Sequence, residues 1–303
     1  MKRKRSRGIL AFVLVIILAL AGTAFWLLIR PPVLVVTDVP FVALYGPKRI
    51  LLRQIRASLA LFRLVQPVVI AEGAGSDILV FAIEDAVSRP IRRRPYCVLF
   101  PHRYADGARR YVEQFPGVPA VLLEGRNGPE SRGGTEGIAV FNTDLERDLY
   151  RAGVCAAILS RGTNGIIPVL QDRFAYTAGQ DAFIEGLRAQ QNETNPLFLN
   201  DISGLSGLAD ISCAVLAGSG AAYLEQNQTF PVVLFTWLDP EVTAREVAVI
   251  FDDSPWALAV PAVKMIAGNQ TEGRIPSDLL FFPERIADKD ILRRIKNAAS
   301  GLR

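Results

Sequence analysis

The stretch that decides the fold runs from Ile166 to Leu187, IIPVLQDRFAYTAGQDAFIEGL. An apolar run, Ile166–Leu170, turns polar and aromatic at Gln171, Asp172, Arg173, Phe174 and Tyr176. Ala182, Phe183, Ile184 and Leu187 then recur at the spacing of a helix face. This predicts a buried strand, a turn and a helix. The same rhythm precedes it. Strands are expected at 33–38 (VLVVTD), 67–73, 96–100 and 119–125, with helices at 49–62, 77–87 and 106–115 between them. It also follows, with strands at 195–201, 211–218, 230–237 and 246–253. Ser254 is expected to cap a helix that begins at Pro255, and a last helix covers DKDILRRIKNAASGL. Continuous apolar strands alternating with helices define an α/β fold with parallel sheets covered on both faces.

Between the first and second series lies GRNGPESRGGTEG, 125–137, which has five glycines, one proline and no apolar residue. It reads as the boundary between two lobes, the alternative being a long surface loop within one sheet.

Of 303 residues half are hydrophobic, enough for a large core. The net charge of +4 belongs to the N-terminus. Residues 1–30 hold six Lys and Arg and no acid, leaving 28 basic against 30 acidic residues elsewhere. The body therefore has no basic surplus for nucleic acid. Residues 8–29 form 22 uncharged positions behind five Lys and Arg, long enough to cross a bilayer. The positive flank places the rest outside the cytoplasm, at the periplasmic face of a single-pass cell-membrane protein. A cleaved signal peptide is the alternative, but apolar residues continue through Ile29, favouring an uncleaved anchor.

Catalytic sets are absent from the sequence. His102 is the single histidine, and there is no Walker A motif and no G-x-G-x-x-G. The pairs Glu84-Asp85 and Asp252-Asp253 read as turn residues rather than general acids. Cys97, Cys155 and Cys213 sit in apolar contexts without metal-ligand spacing and read as packing thiols. Neither enzyme activity, a cofactor nor a metal is expected. Ligands of doubly wound sheets bind beyond the C-terminal ends of strands. That marks Asp38, Phe41 and Tyr45 after the first strand, and Asp172, Phe174 and Tyr176 after the strand in the quoted stretch. It also marks Trp237 and Asp239 after the strand at 230–237, and Ser219 at a helix start. Aromatic faces stack on rings, and carboxylates accept hydrogen bonds from hydroxyls. Core packing, capping and turn formation are the competing roles of the same residues.

The run from Phe115 through Ala189, with Phe141, Asp144, Tyr150-x-x-Gly153 and Phe183-x-x-Gly186, resembles the type I periplasmic substrate-binding proteins. It is most similar to their basic membrane protein group, which includes nucleoside-binding lipoproteins. ADISCAVLAGSGAA and VVLFTWLDPE continue the likeness, which spans most of 33–285. The group's lipid-bearing cysteine is absent. The resemblance implies two Rossmann-like lobes closing by a hinge on a small polar ligand, nucleoside- or sugar-like, and adds Phe141 to the candidate site. Lobe I is expected to comprise 33–124 plus about 246–270, and lobe II 137–245 plus about 271–303. Hinge crossovers are expected at 125–137, near 240–246 and near 270–276. An ABC-type permease or a membrane sensor is the implied partner. The alternative is an envelope interaction protein that keeps the fold without the small ligand.

Overall fold

The structure is a computed structural model. It describes residues 14, 15, 22, 25–27, 29–88, 94–124, 137–160, 165–170, 177–194, 196–200, 202–205, 207–216, 230–235, 247–281 and 289–300. The expected anchor, 8–29, lies mostly outside them. Among the described residues no helix is long and apolar enough to cross a membrane.

Sheet I is built from β1 (Val33–Asp38), β2 (Val65–Ile70), β3 (Cys97–Pro101), β4 (Ala120–Glu124), β5 (Ile138–Thr143) and β11 (Glu272–Ile275). Its order is β11-β5-β4-β3-β1-β2, and every pair is parallel. Sheet II is built from β6 (Ile167–Leu170), β7 (Pro196–Leu199), β8 (Ala214–Leu216), β9 (Val232–Phe235), β10 (Val247–Asp252) and β12 (Asp278–Phe281). Its order is β12-β10-β9-β8-β6-β7, with only β12 antiparallel.

Strand β1 shows why continuous apolar runs were required. Val33 and Val35 point into one core with Tyr45, Ile50 and Trp256, while Leu34 and Val36 point into another with Leu79 and Tyr111. A strand buried on both faces has no room for alternation. Helices cover these faces: α1 (Val39–Tyr45), α2 (Pro47–Leu61), α3 (Ser76–Ser88), α4 (Ala105–Gln114) and α7 (Pro255–Ala267) on sheet I. Helices α5 (Leu145–Leu159), α6 (Thr177–Arg188) and α8 (Lys289–Ser300) belong to lobe II. Gly46 joins α1 to α2 at φ +91°, a conformation that favours glycine over any side chain.

The lobe boundaries differ from the sequence-based expectation. β4 and β5 are neighbours in sheet I, so 125–137 connects two strands of one lobe rather than crossing between lobes. The chain leaves sheet I after β5, at Asp144, returns after β10, around Asp253, and leaves again after β11, around Pro276. Consequently β5 and β11 belong to lobe I, and β10 to lobe II. All three crossings depart from C-terminal strand ends. The pattern at 138–145 gave no break, because a crossing of one residue needs no change in composition.

Helix α2 is turned against the usual rule. Ile50 and Ala57 face the core, but Leu51, Leu52, Ile55 and Leu59 are each about half exposed. Its Arg49 and Arg53 are largely covered instead, at 13% side-chain exposure each.

Candidate functional site

The C-terminal strand ends of both sheets meet at the crossings. On the lobe I side Asp38 closes β1, fully buried at 1% exposure. Its Oδ1 accepts the Phe41 backbone N–H at 2.9 Å, which caps α1. Its Oδ2 accepts the Tyr104 hydroxyl at 2.7 Å and pairs with Arg103 Nη2 at 2.9 Å. Tyr104 and Arg103 come from the 3₁₀ turn, His102–Tyr104, that follows β3. Burial, the bond to Asp38 and repulsion by its charge push the Tyr104 hydroxyl up to about 12, with Arg103 opposing. Tyr104 is therefore a neutral donor at any ordinary pH. Arg103, 48% exposed, is a cation fixed at one end by Asp38 and open to solvent at the other. Asp38 positions Arg103; its own oxygens are engaged by the protein.

The crossings carry a second cluster. Asp252, at 0% exposure, closes β10. Its Oδ2 accepts from Tyr45 at 2.8 Å, Arg49 at 2.8 Å and Arg53 at 3.1 Å, all from lobe I. Its Oδ1 accepts Ser254 N–H at 3.0 Å, shaping the turn into α7, where Ser254 caps as expected. Arg53 also pairs with Asp278 at the start of β12, and Arg49 lies 4.1 Å over the Tyr45 ring. Burial, and secondarily the Asp252 charge, raise the Tyr45 pKa far above the tyrosine range.

Helix α5 holds the third crossing. Both Asp148 oxygens accept Ser277 N–H, at 3.1 and 3.0 Å. Arg151 Nη1 bridges the Asp148 carboxylate at 3.1 Å and the Ser277 carbonyl at 2.9 Å. Asp144 N–H donates to the Ile275 carbonyl at 2.9 Å, tying the first crossing to the third. The lobes are joined at the crossings by directional, charge-assisted bonds.

Several expected site residues have other duties. Phe41, Tyr45 and Phe141 are buried in the lobe I core at 3%, 0% and 0% exposure rather than lining a cleft. Phe41 stacks on Tyr45, ring centroids 5.0 Å apart, because positions i and i+4 share a helix face. Asp252 forms the turn assigned to it and also binds three lobe I side chains. Glu84 and Asp85 lie exposed within α3, not in a turn. Asp172, Phe174, Tyr176, Ser219, Trp237 and Asp239 lie outside the described residues. Sequence reasoning missed Arg103, Tyr104, Arg49 and Arg53. The signal for the last two was present: with Arg56 they form a helical stripe on α2 that reads as a solvated face.

The aromatic-x-x-Gly motifs prove to be packing devices. A Cβ on Gly153 would stand 2.2 Å from the Phe183 carbonyl oxygen, and one on Gly186 would stand 2.1 Å from that of Tyr150. Each glycine lets the other motif's helix approach, fastening α5 to α6. The three cysteines are buried, free thiols. Burial pushes Cys97 and Cys155 up to about 12, and Cys213 further, so they match the expectation of inert packing groups. Among the described residues no His, Cys, Asp and Glu cluster suits a metal ion.

No protein-family model matches the chain, and no curated protein does. Solved structures do. A transcriptional activator of the comK gene from Bacillus halodurans is 14% identical with a TM-score of 0.57, over 89% of this chain and 96% of that one. An ABC-transporter solute-binding protein from Conexibacter woesei is 13% identical with a TM-score of 0.54, over 90% and 96%. An arabinose-binding protein from Geobacillus stearothermophilus is 12% identical with a TM-score of 0.50, over 79% and 87%. At these identities the likeness establishes the fold, that of the type I periplasmic binding proteins, and nothing finer. These similar structures are binding proteins and a regulator.

Proposed function

We propose that this chain is an extracytoplasmic, membrane-anchored solute-binding protein. It takes a small polar ligand, sugar- or nucleoside-like, between its lobes and presents it to an ABC-type importer or a sensor. The observation that carries the reading is the meeting of two parallel sheets, C-terminal ends inward, at one three-stranded hinge, with Arg103 held at the lobe I rim by Asp38. Doubly wound sheets place ligands there. A guanidinium gripped by a buried carboxylate is a preorganised donor for ligand hydroxyls or carbonyls. Asp172, Phe174, Tyr176, Trp237 and Asp239 are the lobe II candidates. The similar structures' association with solutes supports the ligand class, and the basic membrane protein likeness supports the nucleoside alternative.

The test is to extract the full chain in detergent and identify co-purifying small molecules by mass spectrometry. Each is then titrated, with a panel of sugars and nucleosides, by calorimetry. The expected result is one compound bound stoichiometrically, accompanied by compaction in small-angle scattering. Failure of every compound to bind contradicts the proposal.

A second reading, an interaction protein on the same fold, is favoured by one observation. Leu51, Leu52, Ile55 and Leu59 form an exposed apolar stripe along α2, with Phe62 beyond it at 58% exposure. Stripes of this kind mark protein or membrane contacts.

A further inference from the structure

Beside the crossings lies a pocket of about 410 Å³ walled by both lobes. Lobe I contributes α2 and α7, lobe II contributes α5, and the third crossing, Pro276–Asp278, forms one side. Its lining carries five cations, Arg53, Arg56, Arg147, Arg151 and Lys264, against one acid, Asp278. Arg53 and Arg151 are bound to hinge carboxylates. Arg56 and Lys264 are exposed and make no ion pair among the described residues. Charge of one sign gathered in a concave, partly desolvated space focuses field and attracts the opposite sign.

A second, independent observation points the same way. Arg151 Nε, Trp256 Nε1 and Ser277 Oγ are buried and make no hydrogen bond among the described residues. All three residues line this pocket, at 9%, 1% and 2% exposure. Buried donors without acceptors are rare in folded proteins, and each calls for an explanation. Here all three can donate, and all three belong to the wall of one cationic pocket.

We propose that this hinge pocket is a binding site for a small, multiply charged anion, a phosphate- or polycarboxylate-bearing metabolite. Arg56 and Lys264 supply the uncompensated charge, and a small shift of the wall brings the buried Arg151, Trp256 and Ser277 donors onto the anion. The site uses other residues than Asp38, Arg103 and Tyr104 and does not depend on the solute-binding reading. Its volume suits a compound of small-metabolite size rather than a polymer.

The test uses the full chain in detergent with pyrophosphate as the probe. Pyrophosphate raises the Tm saturably at submillimolar concentration and perturbs Trp256 fluorescence, while sodium chloride of equal ionic strength does neither. The double variant Arg56→Glu/Lys264→Glu, altered at two exposed positions, keeps its unliganded Tm and weakens the response at least tenfold. Trp256→Phe, which keeps one aromatic ring and removes the N–H, weakens it severalfold relative to its own unliganded Tm. No saturable response, or an equal response in the double variant, overturns the proposal. So does binding to phosphatidylglycerol vesicles that the double variant loses while pyrophosphate gives no response, since the pocket would then serve a lipid headgroup.

Discussion

Asp38 and Asp252 invite comparison. Each ends a fully buried parallel strand, each is itself buried, and each holds a tyrosine hydroxyl and arginine side chains. Their consequences differ because of where the partners stand. Asp38 binds Arg103 and Tyr104 of its own lobe and leaves the arginine half exposed. Asp252 binds Tyr45, Arg49 and Arg53 of the opposite lobe and leaves both arginines at 13% exposure. The same chemistry holds a half-exposed cation in one place and fastens two lobes in the other. Exposure of the cation, not the identity of the residues, separates the proposed site from the lobe junction.

The comparison breaks most severely at Asp252. Asp252→Ala removes the carboxylate shared by Arg49 and Arg53, while Arg53 keeps its pair with Asp278. Loss of one member of a buried ion pair costs about 3–5 kcal/mol. Denaturant titration should show that loss. Asp38→Asn keeps an oxygen that can cap α1 but removes the charge that pairs with Arg103 and accepts the Tyr104 hydroxyl, so a smaller loss, about 1–2 kcal/mol, is expected in the same titration.

Alkaline pH sharpens the contrast further. An unfolded tyrosine ionises near pH 10, while Tyr104 is held to about 12. The folded chain thus keeps a proton that the unfolded chain releases. Its contribution is complete below pH 10 and is lost as pH rises from 10 towards 12. Tyr104→Phe should flatten the part of the Tm decline that falls in this window. Tyr45→Phe should flatten a decline that extends to higher pH, because Tyr45 is raised further.

Arg103→Ala takes the counter-ion from the buried Asp38 carboxylate, which keeps its bonds from Tyr104 and the Phe41 N–H. A loss of about 1–2 kcal/mol is expected, below that of Asp252→Ala. Denaturant titration of the two variants should give that order.

The sequence revealed the layered α/β plan because two-sided burial leaves a mark in every strand, as in VLVVTD and VAVIFD. Helix limits followed from caps such as Ser254-Pro255. The hinge was not legible. Its anchors pair residues about 200 positions apart, such as Tyr45 with Asp252, and no local pattern records that. The glycine-rich segment at 125–137 drew attention instead, although its flanking strands are neighbours. β11 was missed because EGRI carries a single apolar residue between exposed polar positions, and β12, the apolar DLLF, because it stands on a sheet edge and is short. Phe41 and Tyr45 were assigned to the cleft by position after a strand, yet their i, i+4 spacing turned both rings into the core. In the site, Arg103 was hidden because a lone arginine after a strand looks like any surface charge until its partner Asp38 is placed beside it.

The most direct test of the account is a calorimetric titration of the co-purified solute into the full chain, Arg103→Ala and Arg49→Ala, each with a parallel melt. The account predicts that Arg103→Ala weakens binding at least tenfold in the fraction that remains folded. It predicts that Arg49→Ala lowers the Tm while its folded fraction binds more nearly like the unaltered chain. Normal binding by Arg103→Ala, with the loss falling on Arg49→Ala instead, would contradict the division between site and hinge.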